Sequence, residues 1–242
     1  MKLLLIHAFP MDSSMWDGQA KRLREQALRV DLPGFGGAPG VGPVMTMRAA
    51  AERCVSALDE AGEERAVVCG LSMGGYVALE MWRIRPERIA GLVFTNTRAE
   101  ADDEAAKYRR LALAERLDEE GIAFLVSEPP PLLSANAPSE LWSAVKATIV
   151  AQPAGAIAAA SRGMAERPDS TPDLPQITVP TLVVTSSGDT LIPAWITARM
   201  AERIPGAELA TITDAGHLSN MEAPGEFTAL LADHLERCRM CA

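Results

Sequence analysis

The chain has 242 residues, 48% of them hydrophobic, which suffices for one well-buried core and is short for two full domains. A formal net charge of −9 with no run of Lys or Arg leaves no electrostatic footprint for a phosphate backbone, so nucleic acid is set aside as a partner. The four cysteines are too few for a disulfide framework, and the opening "MKLLLIHAFPM" is too short in apolar residues for a signal-peptide core or a membrane span; a cytoplasmic chain with no membrane partner is expected.

Short runs rich in Val, Ile and Leu recur at 2–7, 27–31, 66–70, 89–95, 181–186 and 208–212, and each reads as a buried strand. Helical patterns separate most of them, at 47–61, 75–85 closed by Pro86, 194–204 closed by Pro205, and 224–237. This alternation predicts an α/β fold with a mostly parallel sheet of about six strands covered by helices on both faces. It breaks across 98–180, where helical patterns at 101–120, 139–152 and 154–166 are separated by "SEPPPLLSANAPS" and "RPDSTPDLPQ". The expected division is a core of 1–97 and 181–242, with 98–180 a helical cap inserted between the fourth and fifth strands.

The third strand runs into "VVCGLSMGGYVAL", where Ser72 lies between Gly70 and Gly74 at a strand-to-helix junction. A G-x-S-x-G match alone is weak, but in this setting a sharp turn lifts the serine hydroxyl above the sheet edge while the glycines let strand and helix approach. A serine needs a base, and the chain has three histidines. His234 falls at helical spacing from Phe227, Leu230 and Leu231, a boundary position on the last helix. His7 ends the first strand and reads as structural. His217, in the polar loop "ITDAGHLSN" after the last strand, is the candidate base.

The base needs a carboxylate to fix its tautomer. Asp189, in "LVVTSSGDTLIP", follows the penultimate strand and is the candidate, with helix capping near Pro193 as its plainer role; Asp214 is closer in sequence but leaves the same strand end as His217. Two backbone N–H groups would receive a developing oxyanion: that of Met73, directly after the serine, and that of Phe9, since its neighbour Pro10 has none. The "CRMC" tail lacks a second pair of ligands and reads as a solvated or frayed C-terminus, and neither a metal nor an organic cofactor is expected.

Taken together, "HAFPMDSSMW", "DLPGFGGA", "GLSMGGYVALE", "SSGDTLIP" and "AGHLSNMEAPGEF" make the chain resemble the α/β-hydrolase superfamily, and within it the small capped carboxylesterases and 3-oxoadipate enol-lactonase-like hydrolases. The resemblance covers nearly the whole chain. It implies a Ser72, His217 and Asp189 triad, an oxyanion hole from Phe9 and Met73, and a helical cap over the site. The antiparallel hairpin common ahead of the first strand is missing, Ala8 stands where glycine is common, and Asn96 is no carboxylate, which weakens an alternative acid position. A serine at the elbow also argues against dehalogenase or epoxide-hydrolase chemistry, which needs a carboxylate nucleophile.

The expected activity is hydrolysis of small carboxylic esters or lactones through an acyl-enzyme, by a monomer or homodimer. Two rivals share the fold: a ligand-binding receptor, and acyl transfer to an alcohol or peroxide with the same residues. Leu132, Leu133, Trp142 and Met164 either shape the pocket or pack within the cap, and Arg98 either pairs with a substrate carboxylate or forms a surface salt bridge.

Overall fold

A computed structural model describes residues 1–241. Six strands, β1 (Lys2–Ile6), β2 (Ala27–Val30), β3 (Ala66–Leu71), β4 (Ile89–Thr95), β5 (Thr181–Ser186) and β6 (Glu208–Ile212), form one sheet. Their order is β2-β1-β3-β4-β5-β6, and every neighbouring pair is parallel. Strands β3, β4 and β5 are buried along their whole length, as continuous apolar runs covered on both faces must be. The edges differ. Strand β2 has four residues and an outward Arg29 paired with Asp17, and β6 exposes Glu208, which pairs with Arg237; short, charged edges resist pairing with other chains.

Ten α-helices accompany the sheet among the described residues: α1 (Asp17–Leu23), α2 (Met47–Glu60), α3 (Met73–Ile84), α4 (Glu104–Glu120), α5 (Ala123–Ser127), α6 (Ser139–Val150), α7 (Ala154–Ala165), α8 (Ala194–Arg203), α9 (Ser219–Glu222) and α10 (Pro224–Met240). Thr46 caps α2 through Ala49 N–H at 3.1 Å, and Asp103 caps α4 through Ala106 N–H at 2.7 Å. That second cap starts α4 three residues later than its apolar pattern suggests. Helices α1, α5 and α9 escaped the periodicity reading because each has seven residues or fewer, too few turns to define a stripe.

Helices α4 to α7 all fall between β4 and β5 in the chain. Helix α7, "AGAIAAASRGMA", packs along α4 and presses on the segment before α2, where a Cβ at Gly163 would overlap the Met45 carbonyl. The C-terminal tail, expected to be solvated or frayed, is solvated at its end but helical and buried before it. Helix α10 continues through Cys238, which is buried against Gly91, leaving Cys241 exposed. His234 is likewise buried rather than at a boundary, because its helix lies against β4. Among the described residues no helix is long and apolar enough to cross a membrane.

The chain leaves β1 outward to β2 and returns to β3 on the other side of β1, so the direction of winding reverses between β1 and β3. Loops leaving two such strands at their C-terminal ends diverge and open a crevice, the usual ligand position in open parallel sheets. Phe9 follows β1 there and Ser72 follows β3.

Candidate active site

Ser72 occupies the turn between β3 and α3 at φ 56° and ψ −114°, a conformation that L-residues rarely adopt and that costs about 1–3 kcal/mol. The neighbours hold it there. Its N–H donates to Thr95 O at 2.9 Å, and its carbonyl accepts Gly75 N–H at 2.9 Å and the Thr97 hydroxyl at 2.8 Å. The flanking glycines are required by contact: a Cβ at Gly70 would overlap the Gly74 carbonyl, and one at Gly74 the Ile6 carbonyl. Strand and helix backbones therefore meet with no side chain between them, which leaves the serine at the crest of the turn.

Phe9 and Ser72 line one cavity. The N–H of Met73, at the first position of α3, has no intrahelical acceptor, and neither it nor the N–H of Phe9 is engaged by another acceptor among the described residues. His7 secures the loop beneath. Its Nδ1–H donates to Ala8 O at 3.0 Å, its Nε2 accepts Leu32 N–H at 3.1 Å, and its ring packs on Phe35. Burial holds its pKa below the ordinary histidine value, against smaller opposing pulls from the Ala8 carbonyl and from Asp31 and Asp12.

On the far side, His217 Nδ1–H donates to Asp189 Oδ2 at 2.7 Å, with both residues buried. Asp189 Oδ1 accepts the N–H groups of Leu191 at 2.8 Å and Ile192 at 2.9 Å, so one carboxylate both orients the imidazole and closes the turn ahead of α8. Asp214 is exposed at φ 60° and makes no hydrogen bond to His217 among the described residues. His217 lines the same cavity as Ser72, without a hydrogen bond between the two among the described residues. Such a contact commonly tightens only around substrate.

Two further side chains fix the His217 loop. Asn96, fully buried and at φ 43°, donates from Nδ2 to His217 O at 2.8 Å and to Ser186 Oγ at 2.9 Å. Glu222 accepts Gly216 N–H at 2.7 Å, Ser134 N–H at 3.1 Å and the Ser134 hydroxyl at 2.6 Å, while Leu218 N–H donates to Leu132 O at 2.9 Å. The residues on both sides of His217 are thus tied to the 132–134 segment. A polar residue at a strand end and an acid five positions after the histidine were the available sequence signals, but neither specifies its partners.

The cavity has a volume of about 480 Å³, and Leu125, Pro130, Leu132 and Met164 form its apolar side. Leu133 is buried outside it, and Trp142 packs at the edge of the core. Arg98 lines the cavity and makes no ion pair among the described residues. Arg110 is spoken for by Asp102, which also accepts Arg167 Nη2–H at 2.7 Å. Burial opposes ionisation of Asp102, but the Arg167 and Arg110 guanidiniums outweigh it and hold the carboxyl below its usual range. No group of three or more His, Cys, Asp or Glu among the described residues could hold a metal ion.

A profile of the alpha/beta hydrolase family matches residues 3–230. The chain belongs to the alpha/beta hydrolase family. This alpha/beta hydrolase is 27% identical over 249 aligned positions to the pimeloyl-(acyl-carrier protein) methyl ester esterase of Aromatoleum aromaticum, covering 96% of each chain. It is also similar to a thermophilic esterase from Thermogutta terrifontis, solved with malate bound, at a TM-score of 0.94 and 37% identity, covering 98% of this chain and 90% of that one. The enol-lactonase from Burkholderia xenovorans LB400 superimposes with a TM-score of 0.87 at 25% identity, covering 97% of this alpha/beta hydrolase and 90% of the lactonase.

Proposed function

We propose that the protein is a serine hydrolase of small carboxylic esters or lactones. The observation that carries this reading is the His217–Asp189 hydrogen bond of 2.7 Å on the wall of a cavity that also holds a strained Ser72. Ser72 attacks the acyl carbonyl while His217 takes its proton, and the Asp189 carboxylate stabilises the imidazolium. The N–H groups of Met73 and Phe9 receive the oxyanion, each worth on the order of 3 kcal/mol. His217 then protonates the leaving alcohol, and water hydrolyses the acyl-enzyme.

In this reading residues 98–180 are a cap over a core of 1–97 and 181–242. The apolar cavity side from Leu125, Pro130, Leu132 and Met164 supports that role, as does the attachment of 132–134 to the His217 loop. The relatives that are esterases and an enol-lactonase support the substrate class. Arg98 would pair with a carboxylate on the substrate, and malate, bound to the Thermogutta terrifontis esterase, is a ligand of that charge.

The test is a panel of p-nitrophenyl esters and lactones with wild type and Ser72→Ala. Turnover abolished by the substitution supports the reading. Binding without turnover would favour a receptor on the same fold, and activity that survives Ser72→Ala would remove the nucleophile. Product analysis with added alcohol or peroxide separates hydrolysis from acyl transfer and perhydrolysis.

A further inference from the structure

Three cavities share lining residues in series, starting from the one that Ser72 lines. Tyr76 and Arg98 line the main cavity and also a void of about 10 Å³. Met47, Glu80, Arg83, Arg167 and Pro168 line both that void and a surface cleft of about 390 Å³. The void thus shares walls with the main cavity and with a second opening where α2 and α3 meet the end of α7, and on that outer side the constriction is lined by Arg83, which pairs with Glu80 and Asp173 and donates to Ser170 Oγ at 2.9 Å.

A space of this size admits about one water molecule, which is stable there only with polar partners. Arg167 offers one. It is 6% exposed, its Nη1 donates to Met164 O at 2.9 Å and its Nη2 to Glu100 O at 3.0 Å, whereas its Nε–H has no acceptor among the described residues. A buried N–H left unmatched costs about 1–3 kcal/mol, a cost that a water accepting from it relieves. The Arg167 guanidinium also lies 4.1 Å from the Tyr76 ring centroid, which fixes one wall of the constriction. Arg98, the other wall, is held by no hydrogen bond or ion pair among the described residues, so its side chain is free to change rotamer.

We propose that the three cavities form a rear water route, gated by Arg98 against the fixed Tyr76 wall, that supplies the water for deacylation at Ser72. The proposal rests on the serine-hydrolase reading. Once Ser72 is acylated, the acyl chain lies against the apolar side of the main cavity, and water arriving from the mouth must pass it; water arriving behind Tyr76 does not. The water oxygen bonds to the acyl carbon as His217 takes one of its protons. Collapse of the tetrahedral intermediate then breaks the bond from the acyl carbon to Ser72 Oγ, returns that proton to Oγ and releases the carboxylic acid.

Two residues of the constriction serve as test positions, and neither lines the main cavity. Ala99 lines the void, and Met47 lines the void and the outer cleft. Ala99→Val narrows the passage and Met47→Ala widens it. With p-nitrophenyl butyrate, the initial burst of p-nitrophenolate reports acylation, and decay of the Ser72 adduct by intact-mass spectrometry reports deacylation. Benzyl alcohol, too wide for a one-water void, serves as a competing acceptor. The expected result for Ala99→Val is deacylation slowed about fivefold at an unchanged acylation rate, with the ratio of alcoholysis to hydrolysis rising in step. Met47→Ala lowers that ratio. It removes atoms rather than adding them, so it keeps the test decisive if Ala99→Val does not fold. Deacylation within about twofold of wild type in both variants overturns the route, as does a parallel fall of acylation and deacylation. Turnover that survives Ser72→Ala overturns the serine-hydrolase reading itself, a separate result that takes the route with it.

Discussion

Asp189 divides its carboxylate between two tasks, Oδ2 toward His217 and Oδ1 toward the N–H groups of Leu191 and Ile192. An asparagine would retain one carbonyl oxygen for the turn but would favour the wrong imidazole tautomer. Asp189→Asn is expected to lower kcat by about 10⁴ while thermal unfolding stays close to wild type; steady-state kinetics beside a melting curve measures both. Gly74 is the steric counterpart. The added methyl of Gly74→Ala would meet the Ile6 carbonyl and push α3 away from β1, costing about 1–3 kcal/mol. At about 2–4 °C per kcal/mol for a chain of this size, calorimetry should register a fall of several degrees.

Elements differ in how openly their sequences declare them. Strands β3, β4 and β5 were legible because a strand covered on both faces needs an unbroken apolar run, and α3 because its small residues follow a glycine-hedged turn. Helix α9 carries four residues and no stripe, yet it delivers Glu222 to three donors on two separate segments. Glu222→Gln replaces one carboxylate oxygen with an amide that cannot accept, and hydrogen bonds to charged groups are worth about 1.5–3 kcal/mol. The expected outcome is a kcat lowered about tenfold with KM within about twofold, because the tie fixes the His217 loop rather than the apolar cavity wall. A change confined to KM would assign Glu222 to shaping the pocket instead.

At the scale of the whole molecule, two histidines are buried as neutral rings. Burial depresses His234 from 6.5 to about 4 despite the Leu92 and Pro180 carbonyls, with Arg237 and Cys238 beside it; His7 is lowered by the same cause. Between about pH 6.5 and pH 4 the unfolded chain binds protons that the folded chain refuses, so stability is full above this window and falls as pH drops through it. His234 alone accounts for about 3 kcal/mol of that loss, given about 1.4 kcal/mol per pKa unit. Urea midpoints measured from pH 7.5 to pH 4.5 should decline, and His234→Gln should flatten the slope; an unchanged slope would remove His234 as its source. Below that range Asp31 and Asp102, both held below the usual carboxylate value, continue the decline.

The chain by itself determined the order of strands and helices, the tight turn at Ser72 and the residue types available for acyl chemistry, because burial on two faces and backbone contact between neighbouring elements constrain contiguous residues. Only the tertiary structure decided that Asn96 and Glu222 grip the His217 loop from separate elements and that Arg98 faces a cavity without an acidic partner among the described residues. Hydrogen bonds and charge pairing depend on separations of a few ångströms between distant parts of the chain. Those separations are set by how helices and loops pack on the sheet, and no local pattern of residues encodes them.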